Sequence, residues 1–126
     1  MYESVVPNIM VKSVRDTLKF YEEKLGFQKV LSVPEQGEEF DFIILQKDSV
    51  TIMFQEQENL IQEYPTLKTE RIMPTFTLFI TVKDVKKLYK ELKEKVEFAK
   101  DLHQTFYGRD EFAIFDNNGN ILTIAG

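Results

Sequence analysis

The sequence is written twice. Val11-Lys12-Ser13-Val14-Arg15 returns as Val82-Lys83-Asp84-Val85-Lys86, a shift of 71 (82 − 11). The same shift carries Asp48 to Gly119 and Val50 to Ile121, so a single register aligns two separated parts of each half. A repeat of this length makes each half one supersecondary unit, which constrains the fold more than any single motif does.

The two halves read alike in their elements. The first opens with a strand-like run, Val5 to Val11. Ser13 is placed to cap a helix, with Asp16 three residues on near its positive end. Val14, Leu18, Tyr21 and Leu25 follow at helical spacing, and Gly26 ends the helix. Three strand-like runs come next: Phe27 to Val33, Glu39 to Gln46 and Val50 to Gln55. Lys47-Asp48-Ser49 forms the tight turn between the last two. The second half begins with Phe76 to Val82. Asp84 caps a helix with the inner stripe Val85, Leu88, Leu92 and Val96. A weak strand lies near Val96 to Lys100. Glu111 to Phe115 and Ile121 to Ala125 form the final hairpin around Asp116-Asn117-Asn118-Gly119. The halves span about residues 1–55 and 74–126. The stretch 56–73 between them is long for a loop without function and has room for a helical turn before Pro65. All 126 residues are expected to form one domain.

Composition narrows the function classes. The balance of 16 basic against 21 acidic residues gives a net charge of −5, which speaks against a nucleic-acid-binding face. The lysines from Lys83 to Lys95 are interleaved with glutamates and read as a solvated helix face. There is no cysteine, so disulfides and thiolate metal sites are excluded. No apolar run approaches the roughly 20 residues of a membrane span, and the first residues lack the order of a signal peptide. A cytoplasmic location and no membrane partner are the expectation.

Three segments resemble the vicinal-oxygen-chelate superfamily of glyoxalases, bleomycin-resistance proteins and extradiol dioxygenases. Pro7-Asn8-Ile9-Met10-Val11, followed by Leu18-Lys19-Phe20-Tyr21-Glu22-Glu23-Lys24-Leu25-Gly26-Phe27, looks like the opening strand and helix end of that family. Tyr107-Gly108-Arg109 through Phe112 is the second segment. Asp116-Asn117-Asn118-Gly119-Asn120 is similar to the family's Asp-Pro-Asp-Gly turn, departing from it at Asn117 and Asn118. The resemblance implies an α+β fold of two βαβββ repeats whose curled mixed sheets surround a cavity, with the helices on the outer face. Enzymes of the family hold a divalent metal with two His or Glu side chains from each repeat. Carried over by the repeat register, the four positions are Val6, Ile52, Thr77 and Thr123. None is a ligand for such a metal. No metal and no cofactor are expected, which removes oxygen polarisation by a metal.

Strand alternation turns Val6, Asn8 and Met10 to the cavity, and Pro7, Ile9 and Val11 to the helix. In the second half Thr77, Phe79 and Thr81 point inward, while Phe76, Leu78, Ile80 and Val82 cover the helix. Phe20, Phe27, Phe76 and Phe112 read as core. Phe54 and Phe79 share parity with the metal positions, and Phe42 is placed with them. Aromatic walls around a few polar groups describe a small-molecule pocket. Asn8, Thr77, Thr81 and Thr123 could supply the polar groups, and Tyr64 and Tyr107 lie on candidate lids. His103, the only histidine, precedes the Tyr107 motif; an exposed residue without a role competes with a ligand contact there. Without a metal, a general base would be a carboxylate such as Glu39 or Glu111.

The favoured function is metal-independent binding of a small organic molecule, such as a drug or other aromatic ligand. In the bleomycin-resistance type that it resembles, the ligand is sequestered in clefts shared by a homodimer. The rival is an enzyme of the same superfamily, a lyase, isomerase or dioxygenase-like protein with an unrecognised site. A third reading is a sensor or interaction module without turnover.

Overall fold

The apolar stripe of the first helix and one face of the first sheet account for each other. In the computed structural model, which describes residues 1–126, β1 (Asn8–Val11) leads into α1 (Val14–Leu25). Ser13 caps α1, its hydroxyl accepting from the Asp16 amide at 3.1 Å, and Gly26 closes it at φ 74°, where a β-carbon would be strained. β2 (Gln28–Val33), β3 (Phe42–Lys47) and β4 (Val50–Glu56) complete a sheet of order β1-β4-β3-β2. β1 runs parallel to β4, and the other pairs are antiparallel. α2 (Gln57–Glu63) and a short 3-10 turn (Pro65–Leu67) follow and belong to the same compact unit, Met1–Met73.

The second unit, Pro74–Gly126, repeats the plan. It contains β5 (Thr77–Thr81), α3 (Val85–Leu92), β6 (Phe98–Gln104), β7 (Asp110–Phe115) and β8 (Ile121–Ala125), in sheet order β5-β8-β7-β6. Asp84 caps α3 through the Lys87 amide. The fold is therefore α+β, with two βαβββ units and two four-stranded mixed sheets. No helix is long and apolar enough to cross a membrane. β6 is longer than the weak strand expected near Val96 to Lys100, and it includes His103.

Each sheet has one face sealed by its helix and a second, only partly buried face, called open below. In unit 1, Ile9, Val11, Ile43, Leu45, Ile52 and Phe54 are buried on the α1 side. Tyr21 of α1 lies against Phe54 and Phe27, with ring centroids 5.0 and 5.5 Å apart. In unit 2, Tyr89 of α3 meets Phe98 and Phe112 at 5.5 and 5.6 Å, with Ile114, Leu122 and Ile124 buried around them. Edge and tilted contacts of this kind add to the area that the rings bury.

The ladder corrects the repeat register. Asn8 pairs with Met53, and its counterpart Phe79, 71 residues on, pairs with Thr123. Thr123 therefore corresponds to Met53, 70 residues earlier, and not to Ile52. The reason is hairpin length. β3 and β4 are joined through Asp48-Ser49, with Asp48 at φ 52°, whereas Asp116 to Asn120 joins β7 and β8. Between the equivalent pairs Gln46–Thr51 and Phe115–Ile121, the second hairpin holds one residue more. A slip of one residue moves a side chain to the other face of a sheet. Ile52 and Phe54, expected in the cavity, are thus on the helix side. Phe76, expected in the core, precedes β5 and is exposed.

This facing has a direct consequence for stability. Phe54→Ala should cost about 3–5 kcal/mol, as large aromatic truncations in a sealed core do. Phe79→Ala should stay within about 0.5 kcal/mol, as surface changes do. Denaturant unfolding of the two variants reads the difference, and a silent Phe54→Ala would invert the assignment of faces.

Candidate functional site

Open-face side chains follow from the ladder, because paired residues share a face. In unit 1 they are Asn8, Met10, Leu31, Val33, Phe42, Ile44, Met53 and Gln55. Most are apolar, yet Leu31 and Val33 remain 44% and 50% exposed. Met10, Phe42, Ile44 and Met53 beside them are half-buried. Exposed apolar surface of this kind marks an interaction site more often than isolated residues do.

A chain of amides borders that face. Asn8 donates through Nδ2 to Gln55 Oε1 at 2.8 Å. Gln55 in turn donates through Nε2 to Asn59 Oδ1 at 2.7 Å and to Glu63 Oε1 at 3.2 Å. Gln55 is buried, so these bonds satisfy an amide that would otherwise be costly there. They also tether α2 to the end of β4. Glu56 caps α2 by accepting from the Glu58 and Asn59 amides. Tyr64 ends α2 and is exposed.

In unit 2 the open face carries Thr77, Phe79, Thr81, His103, Glu111, Ala113, Phe115, Ile121, Thr123 and Ala125. Phe79 is 54% exposed and lies beside Thr123 on the neighbouring strand. His103 and Glu111 are direct cross-strand partners. Glu111 accepts a short hydrogen bond from the Tyr107 hydroxyl. That bond holds the Tyr107 phenol above its ordinary value, with burial and the carboxylate's charge adding to the effect. His103 Nδ1 lies 2.8 Å from the Asp101 carbonyl oxygen. A carbonyl only accepts, so Nδ1 is the donor of that pair. Of the two candidate carboxylate bases, Glu39 is exposed and paired with Arg15 at 2.6 Å, while Glu111 is buried.

The expected ligand residues therefore divide by unit. Asn8 and Phe42 lie on the open face of unit 1, and Thr77, Phe79, His103 and Thr123 on that of unit 2, with Tyr107 bonded to it. Tyr64 stands at the end of α2. Phe54 does not belong with them: fully buried against Tyr21, it cannot meet a guest. Met53 takes its place on the open face. Sequence reasoning missed Leu31, Val33, Ile44, Met53 and Gln55. Alternation counted outward from Phe42 would have found Ile44, whereas Leu31 lies past an irregularity in β2 between Lys29 and Leu31.

The corrected register changes one of the four family metal positions, from Ile52 to Met53. The set becomes Val6, Met53, Thr77 and Thr123. A thioether and two hydroxyls do not suit a divalent ion that takes imidazole or carboxylate. No group of three or more His, Asp or Glu side chains is gathered where it could hold a metal. The residues do not fit the group. A separate cleft of about 320 Å³ lies in unit 1 among Gly26, Gln28, Lys29, Val30, Gln46, Lys47 and Asp48. It is polar and contains none of the expected ligand residues.

A family model described as "Glyoxalase/Bleomycin resistance protein/Dioxygenase superfamily" matches residues 4–124. None of the curated proteins compared matches the chain. Several solved structures share the fold. TioX from Micromonospora sp. ML1 is 12% identical at a TM-score of 0.75, with 98% of each chain covered. A glyoxalase-related enzyme from Fulvimarina pelagi is 17% identical at 0.78, covering 99% of this chain and 88% of its own. The bleomycin-binding protein from bleomycin-producing Streptomyces verticillus, complexed with copper(II)-bleomycin, is 19% identical at 0.69, with 98% and 95% covered.

Elemental analysis of untagged protein should find far less than one Zn, Ni, Fe or Mn per chain. A full equivalent that survives chelation would contradict the donor set at Val6, Met53, Thr77 and Thr123.

Proposed function

The chain belongs to the glyoxalase/bleomycin resistance protein/dioxygenase superfamily, and within it we propose that the protein binds a small, largely apolar organic molecule without a metal. The observation that carries this reading is the contrast between the two faces of each sheet. One is sealed by a helix, while the other leaves Leu31, Val33 and Phe79 about half exposed beside half-buried apolar side chains and a few oriented polar groups. That combination describes a small-molecule surface. On unit 1, Phe42, Ile44 and Met53 supply the apolar part, with Asn8 and Gln55 at its border. On unit 2, Phe79 stands among Thr77, Thr81 and Thr123. The four family metal positions carry no suitable donor, which favours sequestration over metal-dependent turnover. The likeness to a bleomycin-binding protein agrees with this reading at the level of fold. The lack of cysteine suits a cytoplasmic setting.

An enzyme reading keeps one observation of its own, the grouping of Glu111, His103 and Tyr107. Turnover of a candidate substrate that is abolished by Glu111→Gln would favour it over sequestration.

Titration with dansylamide, a neutral planar fluorophore, tests the binding reading. Saturable binding is expected, weakened several-fold by Phe79→Ala with the melting temperature unchanged, since a ring contact adds about 0.5–1.5 kcal/mol beyond buried area. Linear, non-saturating uptake by the wild-type protein would sink it.

The uncovered apolar faces also support a homodimer, because closed symmetric pairing hides such surface. Sedimentation should return about twice the 14.8 kDa chain mass. A strict monomer at micromolar concentration would remove the shared cleft from the proposal.

A further inference from the structure

Glu111 is a carboxylate without a cation. Its residue is only 8% exposed, and it stands on the open face of unit 2 beside Ala125 and opposite His103. The ion pairs of the chain are Arg15 with Asp16 and Glu39, and Lys86 with Asp110, and Glu111 is in none of them. Arg109 is near enough to oppose the rise in the Tyr107 phenol, yet it makes no ion pair with Glu111. The one partner found is the neutral Tyr107 hydroxyl. A buried carboxylate normally needs a countercharge or several hydrogen bonds. Here one donor serves two oxygens, and the remaining accepting capacity lies on the face that also carries Phe79.

The neighbours add to the argument. Tyr107 is itself half-exposed, so an aromatic ring flanks the carboxylate. His103 stands opposite on the same face, its Nδ1 directed to the Asp101 carbonyl. An aromatic ring beside a carboxylate suits a positive charge, through charge-assisted hydrogen bonds and ring-face attraction. Phe79 is two strands and two residues from Glu111, about 12 Å between Cα atoms from sheet spacings. A single ligand can therefore set a flat apolar body on Phe79 and reach Glu111 with a charged end.

We propose that the open face of unit 2 selects protonated organic amines, with Glu111 receiving the ammonium and Phe79 the apolar body. This rests on the small-molecule reading of the same face and names its ligand class. Thr77, Thr81 and Thr123 offer no charge that would favour an anion. The net charge of −5 draws cations toward the protein, which assists encounter without defining the site.

The test uses a matched pair of fluorescent probes. Monodansylcadaverine carries a terminal ammonium on a five-carbon arm, and its N-acetyl derivative is neutral with the same dansyl body. The wild-type protein should bind the amine about tenfold more tightly, the scale of one charge-assisted contact. Glu111→Gln should bring the two probes within about twofold of each other while leaving the neutral probe's affinity unchanged. Phe79→Ala should weaken both alike. Thr81→Lys keeps the inference falsifiable should Glu111→Gln fold poorly. Thr81 is exposed on the same face, and a lysine there would place its own ammonium toward Glu111 and remove the preference. Equal wild-type binding of the two probes, or a preference that survives both substitutions, overturns the amine assignment and leaves the small-molecule reading standing. Binding of neither probe overturns both.

Discussion

The packing of Tyr21 and Tyr89 against the rings beneath them orients everything else in the two units. Tyr21 is fully buried between α1 and the sheet, touching Phe27 and Phe54, and Tyr89 does the corresponding work against Phe98 and Phe112. A strand has only two faces, so once Phe54 and Phe112 point toward a helix, Met53 and Ala113 must point away. The identity of every open-face residue follows from that choice. The core thus selects the residues of the open face without contributing an atom to it.

The second determinant is the length of one turn. Asp48-Ser49 makes a two-residue connection with Asp48 in the left-handed region, which its short polar side chain tolerates. The other hairpin spends Asp116 to Asn120 on a turn held by side chains: the Asp116 carboxylate accepts from the Asn118 and Asn120 amides and from the Asn120 side chain. The extra residue is absorbed in the loop, leaving both ladders intact. Two halves of one repeated pattern can therefore differ in local spacing while keeping the same layout of faces. A fixed repeat shift fails at that point, and it fails by reversing a side chain.

The open faces differ in character although the scaffolds correspond. Unit 1 presents aliphatic and aromatic groups bordered by neutral amides, and the Asn8–Gln55–Asn59 chain satisfies them internally. Unit 2 presents threonines, one exposed phenylalanine and a buried carboxylate with a single neutral donor. The amide chain is complete as it stands, whereas the carboxylate retains accepting capacity.

Much of the architecture was legible in the residues themselves. Ser13 and Asp84 as caps, Gly26 as the end of α1 and the apolar stripes of both helices are local signals, governed by backbone bonds and helical spacing. The resemblance across both halves gives the βαβββ order, and alternation puts Asn8, Phe42, Thr77, Phe79 and Thr123 on the faces turned away from the helices, where the ladders also have them. Alternation fails where strands depart from uniform spacing, which is why the repeat shift puts Phe54 and Ile52 on the wrong face and does not reach Leu31. The proximity of His103, Tyr107 and Glu111 was not legible at all, because it depends on the register of β6 against β7 across irregularities between Phe98 and His103. The sequence by itself determined the elements and their order, since caps, turns and periodicity act over a few residues. Only the tertiary structure decided which side chains share a face, because that is settled by cross-strand pairing and by the helix that seals the opposite side.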